Sequence, residues 1–404
     1  MKIESSTWSK FTIILFLLHT LRNFSILYIP ALGFSYLISI FSFFSFRKRL
    51  IKNPTSILYV FFLFYLIYIA SVTLVNLEHL KLQSIIRLFL APLMPLIILP
   101  LLDKNHKPIH LFLGVYFIGF LSVIFQILFG EVSWLASSGE RGGYDRYSST
   151  LGSLTIIGNT CGVAVLAAHF FVKNIPNKFL LIFCFTIMGI LSLQKSAVIN
   201  LLFAYGLIFF WANTLKQFIF RSVFSFCLIL IIYIVLYMNK DLLLIGYIDG
   251  ILMNTFGVTI FGTDVFQDDS ITLFRILERV IFYAIEVYEF LKFEYVLLFG
   301  FGTVGGGGGM GAYGPQSHNM FWDLIFMGGI PFLFLFLVFF IAVIFSLVKS
   351  EIRNSKELIY LNMLFFVNCF VSSSFIFHPI GSFIFWYSVS LLIFSNTWNL
   401  KLKK

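Results

Sequence analysis

Long apolar runs recur along nearly the whole chain, and no other feature restricts its fold as much. A helix needs about 20 consecutive apolar residues to cross the roughly 30 Å hydrocarbon layer of a bilayer. Twelve runs reach or approach this length, at residues 11–29, 31–46, 57–77, 84–102, 109–129, 151–172, 178–194, 196–213, 219–238, 320–347, 357–377 and 380–396. We therefore predict an all-α polytopic membrane protein in which residues 1–404 form a single integral membrane domain.

Composition supports the same class. Hydrophobic residues make up 59% of the chain and charged residues only 11%, so a water-facing surface could not be covered with polar groups. The four cysteines all lie inside apolar runs, where neither disulfides nor a metal cluster is expected. They are Cys161, Cys184, Cys227 and Cys369.

The distribution of Lys and Arg predicts the orientation. If both termini are cytoplasmic, most of the 28 basic residues fall in cytoplasmic segments, as the positive-inside rule requires. The net charge of +10 is explained by this anchoring, and we infer no nucleic-acid binding from it. Two long loops, 131–150 and 239–319, then lie on the opposite, outer side. The larger one separates the ninth and tenth predicted helices.

Every basic residue that is not a cytoplasmic anchor is predicted to lie toward the outer face. Arg22 and Arg87 fall in the outer half of their spans, and Lys195 lies at the tip of a helical hairpin. Four arginines of the two long loops join these three residues, and they are Arg141, Arg146, Arg275 and Arg279. Guanidinium groups bind phosphate oxygens in a bidentate manner, so the set could hold an anionic lipid headgroup.

Simpler interpretations stay open for part of this set. Arg22 and Arg87 could extend to the interface or pair with backbone carbonyls. Residues 271–294 have the periodicity of an amphipathic helix on the outer membrane surface, with Arg275 and Arg279 on its polar stripe. Both arginines could belong to this solvated stripe alone. The acidic residues Asp268 and Asp269 are typical of a helix cap rather than a metal site, with Asp269 or Ser270 as the cap.

Residues 300–329 read GFGTVGGGGGMGAYGPQSHNMFWDLIFMGG and bring His318 and Asn319 to the start of a long apolar helix. The glycine run in this segment follows no strand and lacks the Lys-Ser/Thr pair of a phosphate-binding P-loop, so we predict a loop. A titratable group at the water boundary of a chain this apolar marks where chemistry is to be sought.

These segments resemble the family of O-antigen polymerases and O-antigen ligases. Gly300-Phe301-Gly302 followed by His318-Asn319 and then Gly328-Gly329-Ile330 is similar to the family's order of a G-x-G turn, His-Asn and a Gly-Gly-Ile turn. Arg146 in RYSSTLGSLTIIGN and Arg275 ahead of the G-x-G turn are similar to family arginines. Lys195-Ser196 stands where the family usually has Ser-Arg, a departure that removes a bidentate contact from this position.

The resemblance implies a bacterial inner-membrane glycosyltransferase that acts on undecaprenyl-diphosphate-linked glycans at the periplasmic side and needs no cofactor, neither nucleotide sugar nor metal. Its partners would be these glycans, membrane lipids, a chain-length regulator and a flippase, and no nucleic acid. His318 would be the general base, and Asn319 would orient it or begin the next helix. Arg146 and Arg275, joined by Arg279, Arg87, Lys195 and Arg141, would bind the diphosphate.

Several activities are compatible with these motifs. Polymerisation of repeat units is favoured because such polymerases are divergent and rich in phenylalanine, as this chain is. Ligation of the glycan to lipid A-core is the second candidate. A flippase of lipid-linked oligosaccharides belongs to another class, but we see neither an internal repeat nor paired broken helices. A non-catalytic assembly component would tolerate loss of His318.

Overall fold

The computed structural model describes residues 65, 67–68, 107–130, 139–141, 144–151, 154–210, 238, 243–263, 298–300, 319–371 and 380–402. This part of the chain is mostly helical. Its elements are α1 (Lys107–Phe129), β1 (Gly139–Arg141), β2 (Tyr144–Arg146), α2 (Leu154–Phe171), α3 (Ile175–Leu191), α4 (Lys195–Phe210), α5 (Leu243–Phe256), α6 (Met320–Lys349), α7 (Ser355–Val371) and α8 (Phe383–Leu402).

Two of these helices, α1 and α6, are long and apolar enough to cross a membrane. The predicted helical character is thus confirmed for most of the described residues, and both helices begin and end within two residues of the predicted runs 109–129 and 320–347. The number of twelve spans and the cytoplasmic location of both termini stay predictions. So does the amphipathic helix at 271–294, which lies outside the described residues.

The chain divides into two compact units, one made of residues 1–112 and 280–404 and the other of Leu113–Arg279. In the second unit, α2 packs on α3 and α4. Gly158 and Gly162 lie where α2 meets α4: a β-carbon at Gly158 would approach the Cβ of Gln194 to 2.5 Å, and one at Gly162 would overlap the Asn200 carbonyl oxygen. The two helices approach closely because these positions carry no side chain.

A polar contact joins the same two helices. The Asn200 side chain lies in α4, is fully buried, and donates to the carbonyl oxygens of Ser196 at 2.8 Å and Gly158 at 3.4 Å. In an apolar bundle such side-chain amides hold neighbouring helices together. The α2–α4 contact is therefore both close and polar, and it fixes the position at which α4 begins.

The first unit contains α6, α7 and α8, which share an aromatic core. The rings of Phe365 and Phe385 stack at 5.1 Å, and that of Phe340 stacks on Phe385 at 6.1 Å. Asn362 of α7 donates to the Ser388 hydroxyl of α8 at 2.7 Å. Many phenylalanines of these three helices therefore fill the interior of this unit.

The all-α prediction is wrong at one place. Within the loop 131–150, β1 and β2 form an antiparallel pair, with Gly139 opposite Arg146 and Arg141 opposite Tyr144. Only Gly142 and Gly143 separate the strands, and two glycines are a favoured connection for a tight hairpin. The strands have three residues each, which is too short for an alternating pattern to be recognised in the sequence.

Candidate functional site

Arg146 is the last residue of β2, and its side chain contacts the turn between α3 and α4. Its Nε donates to the carbonyl oxygen of Ser192 at 3.1 Å. Lys195 is the first residue of α4. It lies three positions after Ser192 and is only 8% exposed. Two of the basic residues predicted to bind diphosphate, 49 positions apart in the sequence, thus belong to one local structure.

The α3–α4 turn is a firm support for this arginine. The Ser192 hydroxyl donates to the Gly189 carbonyl at 2.6 Å and accepts the N–H of Gln194 at 3.3 Å. Leu193 has a left-handed backbone with φ of 48°, and its side chain is fully buried. A branched residue takes this conformation only when its surroundings hold it there. The Ser192 carbonyl is therefore well placed to fix the plane of the Arg146 guanidinium.

Helix α5 completes this region. The Tyr247 hydroxyl donates to the Asp145 carbonyl oxygen, and the rings of Tyr247 and Tyr144 lie 5.2 Å apart. Gly246 leaves room for Tyr144, because a β-carbon there would overlap the Tyr144 hydroxyl. Burial raises the pKa of Tyr247, so its hydroxyl keeps its proton at neutral pH and stays a donor. The hairpin, the α3–α4 turn and α5 consequently meet.

Asp249 of α5 fixes the chain beyond the helix. Its carboxylate is fully buried and accepts the backbone N–H groups of Ile260 at 2.8 Å, Phe261 at 3.1 Å and Thr263 at 3.0 Å, together with the Thr263 hydroxyl at 2.9 Å. Burial alone would raise the pKa of Asp249, but these hydrogen bonds outweigh it and hold the pKa below its ordinary value. The segment after α5 is thereby folded back onto the helix.

Sequence reasoning missed α5 and Asp249, since both lie in the predicted loop 239–319. The helix has 14 residues and is interrupted by glycines and an acid, so it falls below the length of a spanning run. One signal was present in the sequence. A lone carboxylate inside the apolar stretch LLIGYIDGILMNTF has to find partners when buried, and backbone N–H groups are a frequent solution.

Asn319 begins α6 in the first unit. Its Oδ1 accepts the N–H of Phe321 at 2.9 Å and that of Trp322 at 3.4 Å, and its extended backbone is that of an N-cap. Of the two roles weighed for Asn319, that of beginning the helix is therefore confirmed. The cap also anchors the backbone directly after His318, which itself lies outside the described residues.

A break in α6 adjoins the entry to the glycine-rich segment. Gly328 and Gly329 have non-helical backbones, Gly329 with φ of 74°, and Pro331 follows. Gly300 packs against this break with φ of 66°, and a β-carbon there would lie 2.5 Å from the Gly328 nitrogen. Gly300 of the first motif and Gly328 of the second are thus in contact. Gly300 and Gly329 have a positive φ, and Gly328 is closely approached by its neighbours.

The structure describes some of the predicted site residues and not others. Arg146 contacts the α3–α4 turn that precedes Lys195 in the second unit, and Asn319 caps α6 in the first. Arg141 lies in β1 opposite Tyr144. The predicted site residues outside the described part of the chain are His318, Arg87, Arg275 and Arg279. Their roles stay predictions. Among the described residues, no group of three His, Cys, Asp or Glu side chains could hold a metal ion.

Comparison with known proteins adds no assignment. No protein-family model matches the chain, and no curated protein sequence is significantly similar to it. The resemblance to O-antigen polymerases and ligases therefore depends on the motifs quoted above.

Proposed function

We propose that the protein is an inner-membrane glycosyltransferase that polymerises undecaprenyl-diphosphate-linked repeat units on the periplasmic side. The main support is the hydrogen bond from Arg146 to Ser192, three residues before Lys195. Two basic side chains are gathered here at the end of an apolar helix pair, where a guanidinium and an ammonium group can bind an anion. A diphosphate is the anion that the motifs suggest.

The chemistry needs little from the protein, because the diphosphate-linked donor sugar is already activated. His318 takes the proton of the acceptor hydroxyl while that oxygen forms a bond to the anomeric carbon of the donor. The bond between the anomeric carbon and the phosphate oxygen breaks, and the diphosphate leaves on its lipid. Arg146 and Lys195, with Arg275, stabilise the negative charge that develops on it. Attack opposite the leaving group inverts the anomeric centre.

A deletion strain distinguishes the candidate activities. Loss of a polymerase leaves surface glycan that carries single repeat units. Loss of a ligase leaves long chains on the lipid carrier, and loss of a flippase leaves units trapped inside the cell. We expect single repeat units; accumulation of long lipid-linked chains would refute the polymerase assignment in favour of the ligase.

Complementation of that strain with Arg146→Lys tests the diphosphate site. A lysine keeps the charge but cannot contact Ser192 through Nε and bind phosphate through two terminal nitrogens at once. We expect at least a tenfold loss of long-chain glycan at equal expression. Arg353→Lys, at an exposed residue of a predicted cytoplasmic segment, is the matched control and should be neutral. Full activity of Arg146→Lys would make Arg146 a structural anchor only.

A further inference from the structure

The break in α6 is contacted by a part of the chain that plays no role in the mechanism above. Tyr65, Ile67 and Tyr68 are helical. The rings of both tyrosines lie against Phe332, with centroid distances of 5.2 Å for Tyr65 and 5.5 Å for Tyr68. Phe332 lies about one turn beyond Gly328, and Tyr68 is so close to the break that a β-carbon on Gly328 would lie 2.9 Å from its Cε1.

The Tyr68 hydroxyl joins two distant backbone segments. It donates to the carbonyl oxygen of Gly328 and lies 3.2 Å from the carbonyl oxygen of Leu298. Gly328 and Gly329 have non-helical backbones, and such a break leaves nearby carbonyl groups without their usual N–H partners. The Tyr68 hydroxyl therefore gives the Gly328 carbonyl oxygen a hydrogen-bond donor. Because the Leu298 carbonyl oxygen shares the same proton, the hydroxyl also links the break to the start of the glycine-rich segment.

Gly300 is in close contact with the break in α6. Its backbone lies so near to the Gly328 nitrogen and the Met327 carbonyl carbon that a β-carbon would approach them to 2.5 and 2.6 Å. The described residues on the two sides of positions 301–318 are thus both held on α6. Leu298 and Gly300 are held at Gly328, through Tyr68 and the close approach of Gly300, and Asn319 is held by its own cap. Asn319 and Gly328 are nine residues or about 14 Å apart along the helix axis.

We propose that Tyr68 is a positioning residue for the segment that carries His318; this inference rests on the proposed function. The hydroxyl fixes Leu298 relative to the break in α6, and Leu298 lies two residues before Gly300, from which the chain continues toward His318. Tyr68 does not touch the reacting atoms. Its removal should therefore change the rate of the chemical step rather than the binding of the lipid-linked substrates.

Tyr68→Phe removes only the hydroxyl and tests this role. Tyr65→Phe is a matched control, because its ring packs on the same phenylalanine while its buried hydroxyl has no hydrogen-bond partner among the described residues. Both purified variants are compared with wild type by hydrogen exchange over residues 298–300 and 326–332. Their kcat and KM are measured with undecaprenyl-diphosphate-linked repeat units isolated from the deletion strain.

We expect Tyr68→Phe to exchange faster in both segments and to lose about tenfold in kcat with KM within twofold, and Tyr65→Phe to change neither. Equal exchange in the two variants would overturn the attachment, and faster exchange with unchanged kcat would overturn the positioning role. If wild type does not polymerise at all, the proposed function fails. In that case faster exchange in Tyr68→Phe alone still supports the attachment, because exchange is measured without substrate.

Discussion

At the scale of single residues, the described structure is fixed by polar side chains that satisfy backbone groups. Asn319 caps α6, Asp249 binds the chain after α5, and Arg146 binds the end of α3. In each case a buried or half-buried side chain compensates peptide groups that a helix end or turn leaves unpaired. Removing one partner of such a contact leaves the other unpaired and costs more than the bond contributes.

Asp249→Asn tests this at the carboxylate. The amide nitrogen of asparagine cannot accept the N–H groups, so we expect a loss of about 1–3 kcal/mol in stability at pH 7. Because the folded-state pKa lies below the ordinary value of 3.8, this contribution is present above that value and is lost as the pH falls through the folded pKa. The measurement is the apparent Tm of both proteins in detergent between pH 7 and pH 3. A difference between them that does not shrink on acidification would contradict the assignment.

At the scale of elements, the α2–α4 contact depends on two missing side chains. Gly158 and Gly162 stand one helical turn apart and let the backbone of α4 approach. The start of α4, with Lys195 and the turn that binds Arg146, is positioned by this contact. Packing between two apolar helices therefore determines where the basic residues lie.

Alanine substitutions measure how close that contact is. Gly158→Ala and Gly162→Ala should each destabilise the protein by about 1–3 kcal/mol, because the added methyl group overpacks the helix contact. Gly206→Ala in α4 is the control: a β-carbon there has nothing within 4 Å, and alanine is the better helix former. The readout is thermal unfolding in detergent. Equal stability of all three variants would show that the helices are not closely packed in the membrane.

The elements differ in how far the sequence could predict them. Helices α1 and α6 were predicted almost to their ends because each is a continuous apolar run. The hairpin and α5 were not predicted. The strands of the hairpin are too short to show a periodicity. In α5, Gly246, Asp249 and Gly250 interrupt the apolar pattern, and the two glycines are explained only by tertiary contacts with Tyr144 and Leu193. For the same reason, the sequence could name Arg146 and Lys195 as candidate site residues but could not predict the contact of Arg146 with Ser192.

At the scale of the whole molecule, the account requires that the two long loops face the periplasm. The contacts of the hairpin and the α3–α4 turn with α5 are what this topology expects, because loop 131–150, the turn before Lys195 and the start of loop 239–319 should all lie on one side. Single cysteines at Ser138 and Gly308 should react with an impermeant thiol reagent in intact spheroplasts. One at Arg353 should react only after the membrane is disrupted. The reverse pattern would refute the topology and the mechanism with it.

The central claim is that His318 removes a proton from the acceptor sugar during polymerisation. Purified wild-type protein should extend undecaprenyl-diphosphate-linked repeat units into a ladder of longer chains, and His318→Ala should not, while it remains folded and still binds the substrate. Asn319→Asp, which keeps the cap on α6, should retain most of the activity. Chain extension by His318→Ala at a rate close to that of wild type would contradict the account.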